Sequence, residues 1–255
     1  DHWQLLVLVE ESGFSEEDLL QQVGLTDVSR ISFVRSDPDE SNLITRSLPH
    51  MLGEFGLWMN PGDSLSPLAL HYWVDGINRQ GNRVVWYCDS DQIDHRLQRS
   101  SPFFRPSWNR ELFYSQDYVG RACLFHLPTI KESIDPAGLT AQAETYDLLL
   151  HLLEQIGDQG INHTPRILYH HHQDSINRMQ SQEIAQQQKA LSLHFERLGE
   201  KITVSSGRLP YTHRIHYPLP SNLPRVTCII PTRDQLKVFK PCLESLLQRT
   251  QYPVF

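Results

Sequence analysis

The segment Pro67-Leu68-Ala69-Leu70-His71-Tyr72-Trp73-Val74-Asp75-Gly76-Ile77-Asn78, followed after a short connection by Arg83-Val84-Val85-Trp86-Tyr87-Cys88, reads as a helix leading into a buried strand. Proline is tolerated in the first turn of a helix, where its missing N–H has no partner to lose. The run from Arg83 is apolar without alternation, the pattern of a strand covered on both faces. Working toward the N-terminus, residues 5–9 and 31–34 read as strands, and the Ser15-Glu16-Glu17-Asp18 cap opens a helix through about Val23. Residues 41–52 read as a helix and residues 55–59 as another short strand. Strands and helices taking turns over short connections predict an α/β layer fold with helices on both faces of the sheet.

Toward the C-terminus, residues 89–139 loosen into polar and aromatic pieces, including Pro102-Phe103-Phe104-Arg105-Pro106 and Trp108, and are expected to form a substrate-side excursion. A helix spans 146–156 with Gly157 as its stop, and Arg166-Ile167-Leu168-Tyr169 precedes three consecutive histidines. A long, Gln-rich and mostly exposed helix is expected over 176–198, and a small β pair joins 202–204 to 213–216. Pro218, Pro220 and Pro224 mark an extended linker with a boundary near 224. Beyond it, residues 225–231 read as a strand, and 235–249 as a helix with Leu236, Phe239, Leu243, Leu246 and Leu247 on one face.

The composition, 39% hydrophobic and 21% charged over 255 residues, is that of a globular chain with a sizeable core. The net charge of −7 opposes nucleic-acid backbones and anionic lipid, so any bound anion must meet a local site. Cys88, Cys123, Cys228 and Cys242 show no metal-ligand spacing and are expected to be reduced thiols of a cytoplasmic protein, with a peripheral place at the inner face of a membrane as a variant. No apolar run approaches the roughly 20 residues of a membrane-spanning helix. The ends, Asp1-His2-Trp3 and Tyr252-Pro253-Val254-Phe255, suggest a fragment.

Arg225-Val226-Thr227-Cys228-Ile229-Ile230-Pro231-Thr232-Arg233-Asp234 and the helix after it resemble the opening strand and helix of a family 2 glycosyltransferase. Residues 1–172 resemble the same family entered one strand later. The carrying blocks are Glu10-Glu11, Trp58-Met59-Asn60-Pro61-Gly62-Asp63, Tyr87-Cys88-Asp89-Ser90-Asp91, Phe104-Arg105-Pro106-Ser107-Trp108, Glu144-Thr145-Tyr146-Asp147 and Arg166-Ile167-Leu168-Tyr169-His170. The resemblance implies a GT-A fold, a mixed and mainly parallel sheet, and a tandem protein. Residues 1–172 then form one domain lacking its first strand and helix, 173–224 a helix and linker, and 225–255 the start of a second domain. That start is expected either to complete the first sheet or to be exchanged in a strand-swapped homodimer.

The activity implied is inverting transfer of a sugar from a nucleotide-sugar to a glycan acceptor in bacterial surface polysaccharide synthesis, alongside a second glycosyltransferase domain. The alternative is a catalytically degenerate module that binds glycan or nucleotide, or scaffolds an active partner domain. By position, Glu10, Glu11, Asp89, Asp91, Pro231, Thr232 and Asp234 inherit nucleotide contact. Asn60, Asp63 and His170 inherit a divalent cation, Mn²⁺ or Mg²⁺, although Asp63 is the only charged ligand in its segment. Of the histidine triplet only His170 aligns, because adjacent residues point apart. The family's base aligns with Thr145, whose hydroxyl accepts no proton near neutrality, leaving Glu144 or Asp147 as substitute. Acidic groups also suit turns and helix N-termini without any catalytic role.

Overall fold

The computed structural model describes residues 3–10, 29–36, 42–81, 83–141, 143–174 and 182–252. The chain divides into two compact units, Asp1–His216 and Tyr217–Phe255. The first runs through β1 (Leu5–Glu10), β2 (Ile31–Ser36), α1 (Leu43–Ser47), β3 (Phe55–Gly56), β4 (Ser64–Leu65), α2 (Ala69–Gln80), β5 (Val85–Ile93) and β6 (Arg99–Phe103). It continues with α3 (Arg110–Ser115), β7 (Cys123–His126), α4 (Leu127–Ser133), α5 (Glu144–Ile156), β8 (Ile161–His172), α6 (Gln182–Arg197), β9 (Thr203–Ser206) and β10 (His213–His216).

Six strands form one mixed sheet in the order β3-β7-β5-β8-β4, with β6 also on β5. Strand β5 is central, which explains its unbroken apolar run. Its side chains alternate between two cores. Val85 and Tyr87 pack with residues of α1, α3, α4, α5 and α6, whereas Trp86 and Cys88 pack with Ala69 and Trp73 of α2. Helices therefore cover both faces, as the alternation predicts. On the α2 side the approach is close: a Cβ on Gly76 would lie 2.8 Å from Trp86 Cζ3, so glycine lets helix and strand meet.

Parallel pairing is narrower than expected. Within this sheet only β5–β8 is parallel, and the other four described pairings are antiparallel. One cause is the tight turn after β5, where Asp94 Oδ1 accepts from the backbone N–H groups of Arg96 and Gln98, both at 2.8 Å. So short a connection can only return the chain antiparallel. Strands β1 and β2 pair in parallel with each other, and among the described residues they form a separate ribbon. The helix expected after Ser15 lies outside the described residues.

Several boundaries differ for identifiable reasons. The helix expected over 41–52 is capped by Asn42, whose side chain accepts from Ile44 N and Thr45 N, but its α-helical part ends at Ser47. Pro49 cannot donate to the preceding turn, and a short 3-10 segment, Leu48–His50, follows. Strand β8 is 12 residues long, far more than residues 166–169. Its pairing with β5 jumps from Cys88↔Thr164 to Asp89↔Ile167, so Pro165 falls in a bulge and forfeits no ladder hydrogen bond. The loosened stretch 89–139 also contributes β7, inserted between β3 and β5.

In the second unit, Leu236–Arg249 is helical, and Tyr252 Oη donates to Pro224 O at 2.5 Å. The strand expected over 225–231 is not formed, and these residues join no sheet among the described residues. Extended backbone becomes a strand only when its N–H and C=O groups find a ladder.

His213 of β10 is 3% exposed, and neither of its ring nitrogens has a hydrogen-bond partner. Burial lowers its pKa, so the folded chain holds a neutral ring. The unfolded chain takes up that proton below about pH 6.5, which makes the folded state lose stability as the pH falls through this value. The substitution His213→Leu is expected to raise stability at pH 5.5 by about 1 kcal/mol or more, with a smaller change at pH 8. Thermal melting at the two pH values tests this, and an equal effect at both would contradict it.

Candidate functional site

Strands β5 and β8 are parallel, and β3 runs the same way because it is antiparallel to β7, which is antiparallel to β5. Their carboxyl ends therefore share one side of the sheet, the usual location of ligand sites in open α/β layers. A cavity of about 620 Å³ opens there. Asn60 enters it from the chain after β3, Asp91 from β5, His171 from β8 and Thr145 from the first turn of α5. Strand β6 supplies Ser101–Phe103 as one wall, while Glu183 and Gln187 of α6 and Tyr211 from the β9–β10 turn close another. The segment 116–121 adds Asp117 and Arg121.

A buried guanidinium sets the shape of this end. Strand β7 accompanies β5 only over Val85–Tyr87, and β6 takes its place from Ser90. Arg105 fills the junction, donating from Nε to Tyr118 O at 2.6 Å and from Nη1 to Cys88 O at 2.8 Å and Ser90 Oγ at 2.9 Å. Its backbone N–H donates to Asp89 Oδ1 at 2.9 Å, and His163 Nε2 meets the same oxygen at 2.9 Å. Asp89 is thus a buried strut beneath the cavity. Asp91, two residues on, faces the cavity with Oδ1 2.5 Å from His170 Nδ1 and Oδ2 2.6 Å from Arg99 Nε.

The expected metal ligands are not an open donor set. Asp63 Oδ2 accepts from Tyr169 Oη at 2.7 Å, and Oδ1 accepts from His172 N at 2.8 Å. His170 is turned to Asp91. Among the described residues, the group of three ligand atoms close enough to share an ion is His95, His172 and Asp174, a different set on partly exposed ground. Asp63 and His170 are thus held by protein partners while Asn60 alone of the three lines the cavity, so they do not present one open ligand set to a divalent cation.

The two expected substitute bases separate. Asp147 is fully buried, accepts from Thr140 N at 2.8 Å and pairs with His151 at 3.2 Å. Burial raises its pKa, but these contacts outweigh that and hold the carboxyl below its usual range. It locks the start of α5 and does not line the cavity. Glu144 is also buried and does not line the cavity.

Besides Asp91 and Asp117, the cavity is lined by the carboxylate of Glu183. Burial, reinforced by the charge of Asp117 and opposed by Arg121, pushes its pKa up to about 7. Burial likewise raises Asp117, against the pull of the Gly120 N–H. Among the described residues, the buried Nε and Nη1 of Arg121 have no hydrogen-bond partner.

Glu10 ends β1, but its side chain and the whole of Glu11 lie outside the described residues. Pro231, Thr232 and Asp234 are exposed residues of the second unit, Asp234 with φ +48°. The sequence reading missed Glu183 and Arg121. A signal for Glu183 was present. Gln187, Ala190, Leu191, His194 and Phe195 form the buried stripe of α6, and Glu183 continues it one turn earlier. A carboxylate in a core stripe points inward. Arg121 stands in no recognisable pattern, since its site exists only once β5, β7 and α6 are assembled.

No family model matches the chain. It is 29% identical over 232 residues to the uncharacterized protein y4gI of Sinorhizobium fredii (strain NBRC 101917 / NGR234), which covers 89% of this chain and 25% of that protein. It is 30% identical over 237 residues to the O-antigen biosynthesis protein RfbC of Myxococcus xanthus, covering 89% of this chain and 18% of that protein. The chain therefore spans a quarter or less of the length of these curated relatives. Among solved structures, the crystal structure of S. aureus TarS is similar at 12% identity and a TM-score of 0.45, over 76% of this chain and 37% of that one.

Replacing Arg105 by Met would strand the buried acceptors it serves. Stability is expected to fall by about 3 kcal/mol, at roughly 1–3 kcal/mol for each buried polar group left without a partner. Arg105→Lys should recover only part of this, because an ammonium cannot reproduce the planar fork. Denaturant melts of the two variants decide it, and full rescue by lysine would refute the fork geometry.

Proposed function

We propose that the chain provides the donor-binding part of an inverting glycosyltransferase that moves a sugar from a nucleoside diphosphate sugar to a glycan acceptor in bacterial surface polysaccharide synthesis. The observation that carries this reading is convergence. Asn60, Asp91 and Thr145 come from three family-like blocks far apart in sequence, and with His171, which adjoins a fourth, they line one cavity at the carboxyl ends of the strands. The similarity to RfbC, an O-antigen biosynthesis protein, supports this substrate class. The tandem organisation, with residues 225–255 opening a second copy, belongs to the same reading, as does a cytoplasmic site of action.

The chemistry is a single displacement. The acceptor oxygen forms a bond to the anomeric carbon while the bond from that carbon to the phosphate oxygen breaks. The nucleoside diphosphate leaves with the electron pair, and entry from the opposite face inverts the centre. Glu183 takes the acceptor proton. It replaces the carboxylate that Thr145 lacks, since both residues line the cavity, and a base with a pKa near 7 is suited to this task. Asp91, held by His170 and Arg99, presents a fixed negative edge suited to sugar or ribose hydroxyls. No step runs through a divalent cation, because Asp63 and His170 are held by Tyr169, His172 and Asp91.

Incubation with radiolabelled UDP-, GDP- and dTDP-sugars and an oligosaccharide acceptor panel tests the reading. Transfer is expected to rise with pH through about 7, as Glu183 loses its proton. Glu183→Gln should lower the rate about 100-fold or more while leaving donor affinity near wild type. Loss of turnover in Glu144→Gln with none in Glu183→Gln would return the base role to Glu144. Donor binding by the wild type with no sugar release selects the non-catalytic, glycan- or nucleotide-binding alternative.

A further inference from the structure

We infer that His95, His172 and Asp174 form a binding site for a zinc-class transition-metal ion, one that clips the turn after β5 to the end of β8. One ring nitrogen from each histidine and a carboxylate oxygen of Asp174 all lie within 4.8 Å of one another. Zinc takes nitrogen and oxygen ligands at about 2.0–2.2 Å, which sets tetrahedral donors roughly 3.3–3.6 Å apart. His172 Nδ1 and Asp174 Oδ2 already stand at 3.6 Å. The side chains of His95 and Asp174 are exposed, so their rotation closes the remaining distances without moving the core, and an ion reaches them from solvent. The lone pair that an ion needs is in place as well. His172 Nδ1 accepts from Asp174 N at 3.3 Å, which makes this nitrogen the unprotonated one, and so long a hydrogen bond yields readily to a metal.

The scaffold holds two of the three donors in place. Ile93 and His172 make the last rung of the β5–β8 ladder, one step beyond Gln92 and His171, which line the cavity. The backbone N–H of His172 donates to Asp63 Oδ1 at 2.8 Å, and a Cβ on Gly62 would lie 3.2 Å from His172 Cβ, so this side chain is seated against the turn before β4. His95 sits in the turn that Asp94 Oδ1 fixes by accepting from Arg96 N and Gln98 N. Two imidazoles and one carboxylate suit Zn²⁺, Ni²⁺ or Cu²⁺, whereas Mg²⁺ prefers oxygen ligands alone. Three protein donors leave a fourth position to water. The site shares no ligand with the Asn60, Asp63 and His170 set, and it stands whether or not the chain transfers sugar.

Calorimetric titration of the full chain, stripped with EDTA and then dialysed, with ZnCl₂ tests the assignment. Wild type is expected to bind one Zn²⁺ at micromolar affinity or tighter, and millimolar Mg²⁺ should not displace it. His95→Ala and Asp174→Asn should each weaken binding at least tenfold, while His71→Ala, on the exposed side of α2, should leave it unchanged. A Zn²⁺ concentration about 100-fold above the dissociation constant should raise the melting temperature of wild type by about 3 °C or more, and that of His95→Ala by less. The inference falls if wild type binds no Zn²⁺, if His95→Ala and Asp174→Asn bind it as tightly as wild type, or if His71→Ala weakens it as much as they do. Equal affinity for Mg²⁺ would overturn it too. A check that needs no variant is the visible spectrum of the Co²⁺-loaded wild type: the bands of a four- or five-coordinate ion are expected, and the spectrum of hydrated Co²⁺ would refute the site.

Discussion

The candidate site depends on how β5 changes partners halfway along its length. Its first residues have β7 on one flank, and its last have β6. At the changeover, strand backbone faces a gap where unpaired carbonyls would be expensive to bury. The guanidinium of Arg105 closes that gap by bridging Cys88 and Ser90 on β5 to Tyr118 beyond it. Because a guanidinium is planar and charged over the whole accessible pH range, it holds these three acceptors in a fixed relation. The cavity floor inherits its shape from that relation.

On the other flank of β5, the bulge at Pro165 has a complementary effect. Together with a second shift between Ile167 and Tyr169 it brings Asp91 opposite His170, while Asp89 reaches back to His163, the ladder partner of Tyr87. Two acidic residues from one strand thus acquire separate duties. Asp89 is buried as a brace, while Asp91 presents an edge to the cavity. A family-like acidic segment can hold its place in the fold while its individual carboxylates divide between support and recognition.

Much of the architecture was legible because it rests on local pattern. The apolar run at Val84–Cys88, the helix stopped by Gly157 and the hairpin after Ile202 all follow from periodicity and turn chemistry. Strand β7 was less visible: its four residues, Cys-Leu-Phe-His, are too few to show a period. The extent of β8 was hidden by Pro165, which signals a break unless a bulge is foreseen. At the site, the segments holding Asn60, Asp91 and Thr145 were legible from their resemblance to known blocks. The choice between Glu144, Asp147 and Glu183 was not, because it depends on which side chains α5 turns into the core. Asp147 turns toward Thr140 and His151, and the acidic residue that reaches the cavity arrives on α6 instead.

Helix α6 carries core anchors and cavity-lining groups on one stripe. Ala190, Leu191 and Phe195 are sunk in the core, and Glu183 and Gln187 reach the cavity along the same line. Drift in the packing of the helix would tilt the carboxylate, so a change in the interior is felt at the cavity. The opposite rim, formed by exposed residues of β6 and by Tyr211 at a hairpin tip, carries no such burden. Sequence change has its freest path there, where residues can be exchanged without disturbing the scaffold.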